Sequence, residues 1–300
     1  MNKIGGYKNG NYNVILFDDG TKIRVNNDTY MRADRPESID IDISDRCYCN
    51  CDFCYQGCTP GGAIADFNAP IFDTILPYTE IALNGNGVIG TVEFEDFLFK
   101  MARKKVICNI TLHLHDFINH IQDIQYCVDH GLLHGIGVSI NDEINEEIAE
   151  KLMSFFRVSP NIVIHVIAGV VPWKTLVALG NRGLKLLILG YKNYGRGEVY
   201  FTSHNEEVEE NINILEDRWA WLLKSFKVVS FDNLALEQLH VKECVSKEDW
   251  ERYYMGDDGS ATFYIDAVKN TYACSSISER KPIDVQDVNI LFRRVQDERY

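Results

Sequence analysis

The chain has no apolar run near the roughly 20 residues needed to cross a bilayer, so no membrane partner is expected. Met1 to Tyr12 has the wrong composition for a secretory signal, which points to a cytoplasmic location. Positive charge is scarce: 30 Lys and Arg against 44 Asp and Glu give a formal charge of −14. That balance argues against a surface that grips nucleic-acid phosphates in bulk, and leaves room only for a local basic pocket. There is no internal repeat and no low-complexity stretch. What is present is an ordinary globular composition, 46% hydrophobic over 300 residues, enough for a sizeable core in one large domain or two small ones. Nine cysteines, an odd number without an export signal, read as thiols or metal ligands rather than a disulfide framework. Five of the nine fall between Cys47 and Cys58.

Tyr12–Phe17 and Thr21–Val25 flank Asp18-Asp19-Gly20 and read as an N-terminal β-hairpin appended to the main fold. From Ser38 strand-like and helix-like stretches alternate, the habit of a parallel sheet or barrel. Strands are expected at Ser38–Ser44, Glu80–Asn84, Val106–Leu114, Gly135–Ile140, Ile162–Gly169 and Leu184–Gly190. Helices are expected after Thr91, which can cap a segment with acids in its first turn and bases near its end, and at Asp116–His130 and Asp142–Phe156. Val208, Ile212, Leu215, Trp219 and Leu222 share a helical face. A short strand follows at Val228–Phe231, and Thr262–Val268 with Thr271–Cys274 suggests a closing hairpin around Lys269-Asn270.

Within the strands, Ile39, Ile41 and Ile43 alternate with Ser38, Asp40, Asp42 and Ser44. Val106–His115 and Gly135–Asn141 repeat the pattern. Parallel strands covered by helices on both faces should be apolar on both. The expected fold is therefore α/β: a partial (β/α)6 TIM-like barrel with a polar, partly wet lumen, an N-terminal β-hairpin and a C-terminal α+β extension. The domains would be 1–34 for the hairpin, 35–200 for the barrel, and 201–300 for an extension covering the substrate side. An antiparallel sheet with one solvated face is the alternative, disfavoured by the helix-length connections.

Cys47, Cys51 and Cys54 form C-x3-C-x2-C in the loop directly after the first barrel strand, at the strand end where barrel enzymes build active sites. Three thiolates so spaced can hold three irons of a [4Fe–4S] cluster and leave the fourth open. The competing reading is a zinc-binding structural or interaction module drawing four thiolates from Cys47, Cys49, Cys51, Cys54 and Cys58. Zinc sites usually pair two short arms across a longer loop, and no second arm or histidine pair follows.

The cysteine spacing, with Phe53 at the aromatic position, resembles the radical S-adenosylmethionine (radical SAM) superfamily. The resemblance covers about residues 38 to 192 and implies a single [4Fe–4S] cluster whose open iron is chelated by SAM. Its reduction would cleave SAM to a 5′-deoxyadenosyl radical that abstracts a hydrogen atom from the substrate. It further implies that Asn84-Gly85-Asn86-Gly87 stands where the family has its methionine-binding G-G-E-P, with Asn86 and Gly87 replacing the acid and the proline. Ser139 and Asn141 match the family's ribose and carboxylate contacts by position, and Gly169 closes a partial match to its adenine-side strand. An electron donor such as flavodoxin or ferredoxin is implied as partner. With only Cys244 and Cys274 near the C-terminal part, an auxiliary cluster is not expected, and the other free thiols imply a reducing, anaerobic setting.

At the substrate end, His113 and His115 finish the third strand on its polar face, as substrate ligands, proton-transfer groups or hydrogen-bonded lumen residues. His165 is a further lumen histidine. Asp40 and Asp42 would line the barrel floor or position a basic substrate group. Arg196 could bind an anionic group of SAM or substrate. Cys274 could return a hydrogen atom to a substrate radical, or be a buried small hydrophobe. A peptide is the first substrate candidate, and a small molecule or nucleotide the alternative.

Overall fold

The computed structural model describes residues 1–157, 159 and 161–299. It is a mixed α/β structure built on one large, mainly parallel sheet. In chain order the elements are β1 (Lys3–Asn9), β2 (Tyr12–Phe17), β3 (Lys22–Val25), β4 (Ser38–Asp42), β5 (Glu80–Asn84), α1 (Val92–Arg103), β6 (Ile107–His113), α2 (Leu114–Asn119) and α3 (Ile121–Asp129). There follow β7 (Gly135–Ser139), α4 (Glu146–Phe156), β8 (Ile162–Ile167), α5 (Trp173–Leu179), β9 (Lys185–Leu189), α6 (Arg196–Asp217), α7 (Trp219–Ser225) and β10 (Val228–Phe231). The chain continues with α8 (Asn233–Gln238), α9 (Val241–Cys244), α10 (Lys247–Tyr253), β11 (Thr262–Asp266), β12 (Thr271–Ala273), β13 (Lys281–Pro282) and α11 (Val288–Asp297).

The large sheet runs β10-β9-β8-β7-β6-β5-β4-β11-β12-β13. Pairing is parallel from β10 to β11 and antiparallel from β11 through β12 to β13. The alternation in the sequence is realised as two chemically different faces. Ile39, Ile41, Ile81, Leu83, Ile110, Leu112, Ile136, Val138, Ile164, Leu186 and Ile188 are buried in the core. The other face carries Ala82, Asn109, Thr111, Gly137, His165, Leu187 and Ser230, which together line a cavity of about 330 Å³. Strands β5 to β10 all contribute to that one cavity, so the sheet is strongly curved. Segments flanking its two ends also meet: Asn233 Nδ2 donates to Asp258 Oδ1 (2.6 Å), and Lys192 Nζ to Ser276 Oγ (2.7 Å).

Several elements differ from the sequence reading. The N-terminal unit is a three-stranded meander, β1-β2-β3, rather than a hairpin. β1 was hidden because Gly5 and Gly6 break its pattern; a Cβ on Gly5 would lie 2.4 Å from the Tyr78 ring. The meander is pinned by Glu37, fully buried, which accepts from the Tyr12 hydroxyl (2.5 Å) and Arg24 Nε (3.0 Å) and pairs with Lys22. The 116–130 helix is two helices broken at His120 (φ −117°, ψ 23°). Thr91 occupies the cap position of α1, but its hydroxyl donates to the Val88 carbonyl (2.7 Å) instead of accepting a helix N–H. Asn145 does cap α4, so that helix starts later than Asp142. The face from Val208 to Leu222 is shared by α6 and α7, separated at Arg218, and α6 itself is kinked at His204. The C-terminal hairpin forms, but β11 also lies beside β4 in the main sheet.

Among the described residues no helix is long and apolar enough to cross a membrane.

Candidate active site

The cysteine loop leaves β4 under tight control. The Asn84 carboxamide accepts from Ile43 N–H (2.7 Å) and donates to the Ser44 carbonyl (2.7 Å), continuing the ladder one step past the strand. The loop then folds on itself, with Cys47 N–H bonded to the Thr59 carbonyl (3.0 Å) and Thr59 N–H to that of Asp45 (3.0 Å). Asn50 sits at φ 50°, a left-handed position that Asn tolerates. Turns follow at Cys51–Cys54 and Cys54–Gly57, closed by Cys54 N–H to the Cys51 carbonyl (3.2 Å) and Gly57 N–H to the Cys54 carbonyl (3.3 Å).

Arg196 holds the loop from outside. Its Nε donates to the Cys51 carbonyl (3.0 Å), its Nη1 to that of Cys58 (3.1 Å), and its backbone N–H to that of Cys54 (3.2 Å). The preceding Gly195 adopts φ 56°, and a Cβ there would stand 2.4 Å from the Tyr55 carbonyl oxygen. Two of the guanidinium's donors, Nε and one Nη1 N–H, are thus spent on carbonyls of the cysteine loop, a contact that the sequence reading of Arg196 as an anion ligand did not include. Phe53 anchors the loop's middle, its ring edge-on to Tyr200 at 6.0 Å and packed with Val170, Tyr191 and Val208.

Cys47, Cys51 and Cys54 are half-buried and free. Burial pushes the Cys51 thiol up to about 11, reinforced by charge on Cys54 and Cys47. Cys54 is drawn down, first by a hydrogen bond from the Cys58 thiol, with the backbone N–H groups of Cys58 and Gly57 and the Arg196 charge adding to it. Cys47 is drawn down by a hydrogen bond from the Cys49 thiol. Cys49 donates its backbone N–H to Cys47 Sγ (3.5 Å) and the Cys58 thiol lies against Gln56 Oε1 (3.6 Å), contacts that spacing alone did not reveal.

The glycine segment after β5 meets this loop. Gly87 is at φ 72°, and a Cβ there would lie 2.7 Å from the Arg46 carbonyl oxygen. A Cβ on Gly85 would collide with Ile110. Asn86 Oδ1 accepts from His113 N–H (2.8 Å), and Gly87 N–H points to Asp116 Oδ2 (3.3 Å). The side-chain oxygens of Asn84 and Asn86 are therefore committed within the chain.

A cavity of about 600 Å³ opens against the cysteine loop, bordered by Cys51, Phe53, His113, His115, Asn141 and Tyr200. His113 ends β6 and caps α2, its Nδ1 accepting from His115 N–H (3.2 Å). Burial lowers its pKa and favours the neutral ring. His115 does not end the strand; it lies in the first turn of α2, exposed, with Nδ1 3.3 Å from Asp116 Oδ1. Asn141 borders the cavity and accepts from Ile167 N–H (2.7 Å). Ser139 is level with His113 on β6 and His165 on β8. Gly169, at φ 84°, is buried against Val208 of α6, its carbonyl accepting from Asn211. Cys274 is not brought to the thiol loop: its neighbours are Gly259, Val295 and Arg299, which leaves the hydrogen-donor expectation without geometric support.

Sequence reading missed Asp116, a buried acid in the first turn of α2 whose oxygens meet Gly87 N–H and His115. It also missed Tyr55, Lys192 and Arg280 on the polar face. The ligand atoms of Cys49, His115 and Asp116 all lie within 4.8 Å of one another.

No protein-family model and no curated protein matches the chain. Among solved structures, a crystal structure of Streptococcus suis SuiB matches with a TM-score of 0.48 and 10% identity, over 86% of this chain and 66% of that one. The chain thus spans just under two thirds of that neighbour's length.

Proposed function

We propose that this chain is a radical SAM enzyme in which Cys47, Cys51 and Cys54 hold one [4Fe–4S] cluster. The observation that carries the reading is the C-x3-C-x2-C set itself, three free, half-buried thiols on one loop directly after β4 that Gly87 touches from the end of the next strand. The donor set fits: soft thiolates are the usual ligands of such clusters. Hydrogen-bond donors from Cys49 at Cys47 and from Cys58 and Gly57 at Cys54, the latter joined by the Arg196 charge, favour their ionised forms. The curved parallel sheet from β4 to β9 is read as a partial (β/α)6 barrel, residues 35–200, with 201–300 as an extension.

When bound and reduced by an external donor such as flavodoxin or ferredoxin, the cluster supplies one-electron cleavage of SAM to methionine and a 5′-deoxyadenosyl radical, which removes a hydrogen atom from the substrate. This chain's own residues orient and shield. Arg196 fixes the carbonyls of Cys51 and Cys58, and Phe53 closes the loop against α6. Asn141 and His113 border the cavity against the cysteine loop, the space read as that for SAM, and His113 presents a neutral imidazole to it. A peptide remains the first substrate candidate, with a small molecule or nucleotide second.

The test is anaerobic reconstitution with iron and sulfide, followed by reduction with SAM. The expected result is a cluster chromophore and 5′-deoxyadenosine, both lost in Cys51→Ala. A cluster that survives Cys51→Ala unchanged, or no cluster at all, overturns the reading. A second reading, a mononuclear zinc site, is favoured by the Cys49–His115–Asp116 group. One zinc per chain, lost in Cys49→Ala but retained in Cys51→Ala, would support it instead.

A further inference from the structure

The cavity of about 330 Å³ on the polar face of the large sheet lies at the opposite end of the strands from the cysteine loop. Glu80, Ile107, Gly135 and Lys185, the first residues of β5, β6, β7 and β9, all line it. The cavity beside the thiols is bordered by His113 and Asn141 at the finishing ends, and the two cavities share no lining residue. A volume of 330 Å³ has room for about ten waters, or for an organic molecule of about ten to fifteen non-hydrogen atoms.

The rim of this cavity is charged and its interior is not. At the rim Glu80 pairs with Lys22 (2.5 Å), and Lys185 Nζ donates to the Asp19 carbonyl in the turn between β2 and β3 (3.2 Å). Further along the strands come Asn109, Thr111 and His165. None of these three side chains has a hydrogen-bond partner among the described residues, and none of their polar atoms is sealed from solvent. Each can both donate and accept: a carboxamide, a hydroxyl, and an imidazole that burial holds neutral by lowering its pKa to about 4.

The three groups come together because β7 is bare between them. An added Cβ on Gly137 would lie 2.4 Å from His165 Cε1, and one on Gly135 2.7 Å from Asn109 Oδ1, so the ring reaches from β8 and the carboxamide from β6 over the same strand. Gly137 pairs with Thr111, one strand spacing away at roughly 4.8 Å, and Gly135 lies two residues back, roughly 6.6 Å along β7. Ala82, Val163 and Leu187 supply apolar wall around this patch. A cation here would meet the same desolvation that keeps His165 neutral, and an anion finds no charged group beyond the rim. Buried polar groups are normally paired, so the patch calls for an occupant that is uncharged and can both donate and accept.

We propose that this cavity is a ligand site separate from the one beside the thiols, taking a small neutral molecule with an amide or lactam edge that Asn109, Thr111 and His165 read. Its apolar body lies against Ala82, Val163 and Leu187. Simple carboxamides and lactam-type nucleobases share that edge, a donor and an acceptor side by side. A molecule without it leaves the enclosed polar groups unpaired, which is the basis of strong discrimination. The site stands apart from the radical reading, because none of its residues borders the cavity at the cysteine loop.

The test is calorimetric titration of the full chain, anaerobically purified and without SAM, with benzamide and hypoxanthine and with the controls benzoate, benzylamine and N,N-dimethylbenzamide, the last of which has no donor. Benzamide or hypoxanthine should bind about tenfold tighter than every control. Tighter binding of hypoxanthine would assign the site to a nucleobase, and of benzamide to a carboxamide. Thr111→Val, close to isosteric, should weaken the better of the two about tenfold, the loss of one hydrogen bond, and Thr111→Ser should restore it. His165→Phe should act like Thr111→Val, and His165→Gln, which keeps a donor and an acceptor, should restore binding; should His165→Phe not fold, the Thr111 pair decides. NMR of isotope-labelled histidines locates the ligand: the His165 resonances should shift, while those of His113, which borders the other cavity, stay in place. No binding of either compound, equal binding of a charged control, an affinity indifferent to Thr111→Val, or shifts at His113 alone overturns the proposal. Because SAM is absent from the titration, loss of binding leaves the radical reading standing, and failure to form 5′-deoxyadenosine leaves this site standing.

Discussion

His165 gives a pH signature that can be worked through. The ring on β8 is enclosed by the sheet and faces Gly137, where a Cβ would lie 2.4 Å from it, and burial lowers its pKa from 6.5 to about 4. In the unfolded chain the imidazole takes a proton near pH 6.5, while in the native state it resists until about pH 4. The unfolded state therefore binds more protons between those values, and native stability falls as pH falls through that window. The contribution is intact above pH 6.5 and fully lost below about pH 4. With about 1.4 kcal/mol per pKa unit, the total is about 3 kcal/mol, of which about 2 kcal/mol is lost between pH 7 and pH 5. At about 2.1 cal/mol/K of unfolding entropy per residue, that corresponds to about 3 °C in Tm for a chain of 300 residues. Other groups titrate too, so the measurement is differential: Tm of the native sequence and of His165→Gln at pH 7 and pH 5. The native sequence should lose about 3 °C more than the variant. Parallel pH profiles would refute the assignment of a neutral, enclosed ring.

Three more outcomes are expected. Arg196→Gln removes charge-assisted bonds to two loop carbonyls, each worth about 1.5–3 kcal/mol, so the reconstituted protein should surrender iron to a chelator faster; unchanged iron retention would show that the clamp is dispensable. Gly137→Ala should cost about 1–3 kcal/mol by overpacking against His165, read by urea denaturation, and the cost should vanish in a His165→Ala background; a persistent cost would mean the backbone, not the ring, is crowded. Glu37→Ala leaves the Arg24 guanidinium without its buried carboxylate, while Lys22 keeps Glu80, and should cost about 3–5 kcal/mol, with the meander becoming the first site of limited proteolysis; equal protease resistance would contradict its role as the pin.

The sheet was legible because period-2 alternation of isoleucine with polar residues has one physical explanation once helices cover the apolar side. The thiol loop was legible because ligand spacing is local. What escaped is long-range or irregular. Arg196 reads as a free cation until the fold places it on the Cys51 carbonyl, 145 residues away. Tyr264 reaches Asp42 only because β11 packs beside β4, a pairing that no periodicity announces. β1 escaped because its two glycines have poor strand propensity and are there for a close approach, not for a pattern. His115 shifted from strand to helix because the turn begins at His113, whose side chain caps the new helix.

The pairing of β11 with β4 also sets a timetable. Tyr264 is 222 residues downstream of Asp42, the residue its hydroxyl bonds. At translation rates of about 5–20 residues per second, the nascent cysteine loop waits roughly 10–45 s before the strand that flanks its own is even synthesised. Throughout that interval β4 is an uncovered edge carrying five nearby thiols, so metal captured early would be captured by a half-built site. Correct loading is thus expected to follow completion of the chain rather than to guide it.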